Sequence, residues 1–533
     1  EEFLPGSHLK FVRTAEDDFF KRGSYKQTYG KSFSVSSDIN LNYSHNWDKH
    51  ILFANLGANI RSGNSEEYIH SAVGFPNDKM DNIIFAKQYA DNSKPTGSES
   101  IDREVGTLLA VNYSYDDRYL ADFSLRASAS SQFGSDNRWG TFWSAGLGWN
   151  VHNEAFFKDS GVVRQLRLRA SMGYTGSQNF NSYQGMLLYN YFTDDSYLDF
   201  IGTYLEGLAN SKLKWQQKFD TNYGIDMNLW GRLNVKFDYY RSVTNNLLTD
   251  ITTPPSLGFN SYKDNLGKLL NTGYEFNVNY LVLTRPEDRM SLNVFVAGTS
   301  NKNKIKEISN SLSSLTSSQD KEAANSNKPF VRFVEGQSLN AIWAVRSKGI
   351  DPSSGKEVFV RPDGTLTDTW SALDQVVCGD TEPKLMGNVG FTFEYKGLSV
   401  SFTGLYRIGE YMYNQTLVDK VENAQLNYNV DKRAYYDAWM KEGDNVQFKS
   451  IGAWNKPTQA TSRFVQKLNE FDFSALSIGY DFYRFGFVEK CGLERLQLQF
   501  NMNDIGKISS VQIERGTSYP FARYCSFTLN VNF

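Results

Sequence analysis

The 533-residue chain is poor in cysteine and proline, with three Cys and 12 Pro against 41 Gly. Its thiols, Cys378, Cys491 and Cys525, are odd in number and far apart, which excludes a disulfide framework or a zinc-ligand spacing. Five histidines are scattered without an H-x-x-x-H pair. No apolar run reaches about 18 residues, so no helix spans a membrane. A net charge of −3 excludes the basic balance of a nucleic-acid binder. Nucleophile-elbow, zincin and phosphate-loop motifs are missing, so no catalytic residue, metal or cofactor is expected and the chain reads as a non-enzyme. "EEFLPGSHLK" carries neither an initiator Met nor a signal peptide, and the start is expected to lie within a longer chain or after processing.

Aromatics are abundant instead: 31 Tyr, 38 Phe and 10 Trp, or 15% of the chain. They fall into period-2 alternation that recurs from end to end. In "FSVSSDINLNYSHN" (33–46) one parity reads Phe33, Val35, Ile39, Leu41, Tyr43, and the other is Ser, Asp and Asn. The same pattern runs through 105–115, 166–174, 219–229, 233–241, 274–282, 290–298, 389–395, 398–406, 476–482, 496–502 and the closing "SFTLNVNF" (526–533). With the less regular 51–61, 118–131 and 140–151, about fifteen strands are expected, an all-β chain.

The connections alternate in length. Short links fall at 47–50, 116–118, 152–162, 230–232, 284–288, 396–397 and 483–491. Longer ones fall at 62–102, 132–139, 176–214, 249–269, 301–385, 409–470 and 504–520. A soluble sheet has no reason to sort its loops by side; a transmembrane antiparallel β-barrel does, with short periplasmic turns and long outside loops. The apolar parity then faces lipid, the polar parity faces the lumen, and closure leaves no unpaired backbone in hydrocarbon. Trp47, Trp149, Trp230 and Tyr280, near strand ends, suit the interfacial girdle. Counting turns back from the end places residues 1–32 in an extracellular loop segment and 33–533 in the C-terminal part of the barrel. Because single-chain bacterial barrels have even strand numbers, N-terminal strands and a plug are expected outside this chain.

The stretches "DNRWGTFWSAGLGWNVHNEAFF" (136–157), "LRLRASMGYTGSQNF" (166–180), "LGKLLNTGYEF" (266–276), "EGQSLNAIWAVRSKGIDPSSGKEVFVRPDG" (335–364) and "GDTEPKLMGNVGF" (379–391) resemble the SusC-like (RagA-like) TonB-dependent transporters of Bacteroidota outer membranes. So does "FDTNYGIDMNLWGRLNVKFDYYRSVTNNLL" (219–248), and all six run in family order. The resemblance implies a 22-stranded barrel with a plugged lumen and energy taken from TonB through the missing N-terminal part. It implies a SusD-like surface lipoprotein as lid, a dimer of such pairs, and oligosaccharide or oligopeptide cargo. Two rivals are a passive large-solute porin or secretion channel, and a surface β-rich glycan-binding protein or enzyme.

Aromatics among polar residues in the long loops offer flat faces for sugar rings or peptide side chains. Tyr183, Tyr189, Trp343, Trp370, Tyr411 and Tyr413 are the candidate substrate contacts, against a plain role in packing loop on loop. Phe533 is the candidate C-terminal assembly signal. Inner-face Asp38, Arg167, Arg169, Asp226 and Lys236 are expected to form a lumen network, and Cys525 to face lipid.

Overall fold

The computed structural model describes residues 2–8, 22–89, 94–157, 161–177, 183, 186–197, 200–207, 210–252, 261–265, 267–308, 316, 320, 323, 326–424, 429–450, 458–482, 485–512 and 523–533. Its main sheet has seventeen strands. Setting aside two short edge pieces, Glu2–Leu4 and Gln88–Tyr89, leaves fifteen long strands, as the alternation predicts. They are β1 Ser24–Trp47, β2 His50–Val73, β3 Thr96–Tyr115, β4 Tyr119–Ser130, β5 Trp139–Asn150, β6 Val163–Ser177, β7 Gln216–Leu229 and β8 Leu233–Asn245. There follow β9 Lys268–Arg285, β10 Met290–Glu307, β11 Leu385–Tyr395, β12 Leu398–Tyr413, β13 Val465–Asp481, β14 Arg495–Ser509 and β15 Tyr524–Asn532. Every ladder is antiparallel and joins chain neighbours. Among the described residues β1 and β15 do not pair with each other, so the sheet is not closed on itself.

The two sides differ as the link lengths require. On one side Asp48-Lys49, residues 116–118, residues 230–232, Pro286–Arg289 and Lys396-Gly397 make tight turns. Tyr395 pairs directly with Leu398, and both turn residues have positive φ (Lys396 46°, Gly397 98°), the mirror-image turn whose twist matches the strands. On the other side stand the long loops, including residues 308–384 and 414–464. Strands run further into this loop side than the sequence pattern indicates. β1 starts at Ser24, inside the stretch read as loop to residue 32, and β2 and β3 together shorten the expected 62–102 loop to residues 74–95. The hydrophobic alternation fades there, at "EEYIHS", because strands that rise above the bilayer have no lipid face to signal.

Register aligns the apolar parity into continuous rungs. One runs Trp149, Leu168, Ile225, Phe237, Phe276. Another runs Tyr280, Val294, Phe391, Phe402, Leu476, Met502. This face keeps large side chains exposed, among them Ile39, Leu41, Leu147, Tyr223, Phe237, Leu498, Phe527 and Leu529. An apolar wall on the outside of a sheet is what hydrocarbon, not water, stabilises. Near the tight turns the wall changes to a row of packed rings: Trp47 stacks on His50 at 5.5 Å, His50 meets Tyr115 at a tilt at 4.9 Å, and Tyr115 stacks on Tyr119 at 6.4 Å. Glu154, in the 151–162 link, accepts hydrogen bonds from Tyr119 Oη (2.8 Å) and Trp149 Nε1 (3.1 Å), fixing two rings of this girdle. Those bonds, with the Arg118 charge, outweigh desolvation and hold the Glu154 carboxyl below its ordinary pKa.

Candidate functional site: the inner wall and the two longest loops

The inner parity carries the polar residues. Arg169 on β6 donates through Nε and Nη2 to both oxygens of Asp226 on β7 (2.8 and 3.0 Å), and through Nη2 to Asp238 on β8 (3.0 Å). Gly224 makes room for this clasp: a Cβ there would stand 2.6 Å from the guanidinium carbon and 2.5 Å from an Asp238 oxygen. Thus two of the expected lumen residues, Arg169 and Asp226, do meet. Lys236 lies in register with Asp226, and so does Arg167 from the opposite side. Asp38 lies on β1, at the far end of the described sheet.

Beyond the clasp, two hollows of about 480 and 380 Å3 share Glu275 and form one trough along β7–β11. Lys218, Asp220, Asn222, Tyr240, Asn271 and Asn301 line the first, and Lys236, Asp238 and Asn277 the second. At the trough's loop end Glu382, from the "GDTEPKL" stretch, accepts from Asn301 (3.0 Å), Asn303 (3.1 Å) and Asn340 (2.5 Å). One carboxylate therefore ties the strand β10 to the base of the 308–384 loop. Such a surface presents alternating hydrogen-bond donors and acceptors along the inner wall.

The two longest loops above it are fastened together. Within 308–384 a four-stranded sheet forms from Ala341–Ile350, Glu357–Val360, Leu366–Thr367 and Gln375–Asp380. Residues Ala341 to Val345 are buried in it. The 414–464 loop builds its own core from Leu417, Val418, Val421, Ala434, Ala438 and Phe448. Arg463 joins the two, donating to Glu357 Oε2 (2.9 Å) and Glu422 Oε1 (2.6 Å). Burial works against the Arg463 charge, but the two carboxylates outweigh it and raise its pKa. Thr458 Oγ1 donates to Glu422 (3.1 Å) and receives Lys449 Nζ (2.7 Å), and burial pulls that ammonium's pKa down. Sequence reasoning missed this network. Its members are separated by up to 106 residues, and no local pattern announces them.

A polar hollow of about 500 Å3 opens on the same assembly, lined by Asn327, Asp419, Lys420, Asn423, Asn429 and Asp431. The Nδ2 of Asn423 is shielded from solvent and has no hydrogen-bond partner among the described residues. Asp431 is chelated by its own neighbour Arg433 (2.8 Å), which lowers its pKa to about 2.

The predicted aromatics are spread among these parts. Trp343 is 8% exposed, with Arg332 stacked over its ring at 5.2 Å. Trp370 donates to the Ala460 carbonyl (3.1 Å), crossing from one loop to the other, and Tyr413, the last residue of β12, donates to the Asn327 carbonyl of the 308–384 loop (3.2 Å). Tyr411 packs on Gly379, and Tyr183 accepts a hydrogen bond from the Ile101 amide (2.9 Å). Tyr189, on the hairpin of Leu188–Tyr197 and Phe200–Gly207, is 60% exposed. Phe533 projects beyond β15, and Cys525 is exposed on the parity of Phe527. Among the described residues no cluster of His, Cys, Asp and Glu could hold a metal ion.

A lipid-facing meander with a polar inner wall and one-sided loops is a membrane barrel, and comparison with known proteins decides which kind. The family model described as "TonB dependent receptor-like, beta-barrel" matches residues 6–504. The chain belongs to this family. It is an outer-membrane protein. TonB-dependent receptor P39 of Formosa agariphila is 26% identical, over 89% of this chain and 49% of its own length. TonB-dependent receptor SusC of Bacteroides thetaiotaomicron is 26% identical, over 80% and 43%. The chain thus spans about half the length of the curated relatives it matches. In fold it superposes on a structure of the RagAB peptide transporter with a TM-score of 0.81 at 22% identity, over 92% of this chain and 53% of that one. The TonB-dependent receptor barrel accounts for the parity, the one-sided loops and the polar wall together.

Proposed function

We propose that this chain is the main barrel portion of an active outer-membrane importer for oligosaccharides or oligopeptides. The observation carrying this reading is the polar trough along β7–β11, running from the Arg169 clasp to Glu382 beneath two mutually locked loops. The named relatives SusC and the RagAB peptide transporter support it. The resemblance to SusC-like transporters carries the further expectation of a 22-stranded circle with a plug inside it. TonB acts through that remainder. The long-loop side faces the cell surface and receives a SusD-like lipoprotein lid, the pairs assembling as a dimer.

Substrate is held by many polar contacts: the trough, the Asn423 hollow, and Tyr189, whose exposed ring gives a stacking face. Tyr183, Trp343, Trp370, Tyr411 and Tyr413 shape the loops that frame it. Phe533 is assigned to recognition during barrel assembly.

Uptake of labelled oligosaccharide and oligopeptide pools by the native host tests the reading. Loss of uptake on deleting this gene and on removing TonB is expected. Uptake that persists without TonB would mark a passive channel. Affinity purification in mild detergent is expected to bring down a lipoprotein partner.

A further inference from the structure

The loop-side end of β10 reads "NKNKIKE" (301–307), and its two parities divide cleanly. Asn301 and Asn303 point inward, since both donate to Glu382. Lys302 and Lys304 therefore point outward, on the parity of Val294 and Val296; Lys306 sits in the register shift between Ile305 and Glu307, and all three lysines are exposed. On the same rung as Lys302, through Thr272 of β9, lies Arg241 of β8, also exposed. Glu307, next to Lys306 in sequence, faces Lys268 at 3.7 Å. Four cations thus sit side by side on the outer surface with no ion pair among the described residues.

Their height gives them a role. Leu292, the second residue of the same outward stripe after Met290 at the tight turn, precedes Lys302 by ten residues, roughly 34 Å along an antiparallel strand. With the usual tilt that is about 25 Å along the membrane normal, the height of a barrel's apolar band. Lys302 and Arg241 therefore lie where hydrocarbon gives way to headgroups on the loop side, with Lys304 and Lys306 just above. Lysines meant only for solubility would stand at any height and on either parity.

We infer that this outward row binds phosphate groups of phosphorylated lipids in the loop-side leaflet. Arg241 supplies a fork for two phosphate oxygens, and the lysines supply point charges at the spacing of alternate residues on one strand. The inference rests on the outer-membrane placement and is independent of what the barrel imports.

The test is lipid retention by the full-length protein purified from its native outer membrane. Native mass spectrometry is expected to show bound phosphorylated glycolipid. The triple variant Arg241→Gln, Lys302→Gln, Lys304→Gln is expected to lose it at least five-fold. Reconstitution with matched lipid in phosphorylated and dephosphorylated forms separates phosphate recognition from acyl packing: the native protein should prefer the phosphorylated form and the variant neither. Inorganic phosphate at millimolar concentration should not displace the lipid; displacement would mean a free-anion site. Equal retention by native and triple-variant protein, with both still heat-modifiable on a gel and so folded, would overturn the inference. So would equal binding of the two lipid forms by the native protein.

Discussion

At the scale of single residues, Arg169 and Asp431 make different kinds of statement. Arg169 holds Asp226 and Asp238 on neighbouring strands. Arg169→Met strands two half-buried carboxylates on the wall and is expected to cost about 1–3 kcal/mol. The measurement is the urea midpoint of the heat-modifiable gel band in detergent or bilayers. Gly224→Ala should approach the same loss, because its Cβ occupies the space of the guanidinium. Asp431 is a pH reporter. Its folded pKa, about 2, lies below the ordinary 3.8 because Arg433 binds the carboxylate. A depressed acid stabilises the folded form above the unfolded pKa and loses that contribution as pH falls through the folded one. The 414–464 loop should therefore resist pepsin at pH 4 and open towards pH 2. Arg433→Gln should shift opening to higher pH; an unchanged profile would remove Asp431 from the account.

At the scale of elements, the tight turns and the strands they join were legible in the sequence for one reason. Lipid outside and water inside impose alternation on residues 33–46 as strictly as on 233–241, and turn residues such as Lys396-Gly397 interrupt it. Gly397 has φ 98°, where a side chain is strained. Gly397→Val should cost about 1–2 kcal/mol and slow refolding of the β11–β12 hairpin, seen as a delayed appearance of the compact gel band. The loops were less legible. The sheet of Ala341–Ile350 and its partners and the core of Val418, Val421 and Phe448 are small soluble folds, stabilised by contacts between distant segments. Aromatic content drew attention to Trp343 and Tyr413, whose surroundings are protein, whereas the amide-lined hollow around Asn423 had no aromatic to flag it. Glu382 lay within a recognisable stretch, yet only the fold reveals that three asparagines converge on it.

At the scale of the whole molecule, the two longest loops behave as one body. Arg463 bridges Glu357 and Glu422, Trp370 reaches across, Tyr413 at the end of β12 reaches the 308–384 loop, and Trp439 Nε1 donates to the Pro352 carbonyl (2.9 Å). Removing the bridge by Arg463→Ala takes from two buried carboxylates the guanidinium they share, leaving Lys449 as the nearby cation, a loss of about 3–5 kcal/mol for such groups. Hydrogen exchange should then accelerate in Ala341–Ile350 and in Gln415–Leu417 together, while β7 and β8 stay protected. Faster exchange in one loop alone would show that they move separately.

The meander has a further implication for descent. Because each long strand bonds only to its chain neighbours, a hairpin can be duplicated or deleted without rethreading anything else. Circumference is thus an inheritable variable, open to change one pair at a time, while the crown of connectors can be exchanged freely above an unaltered stave.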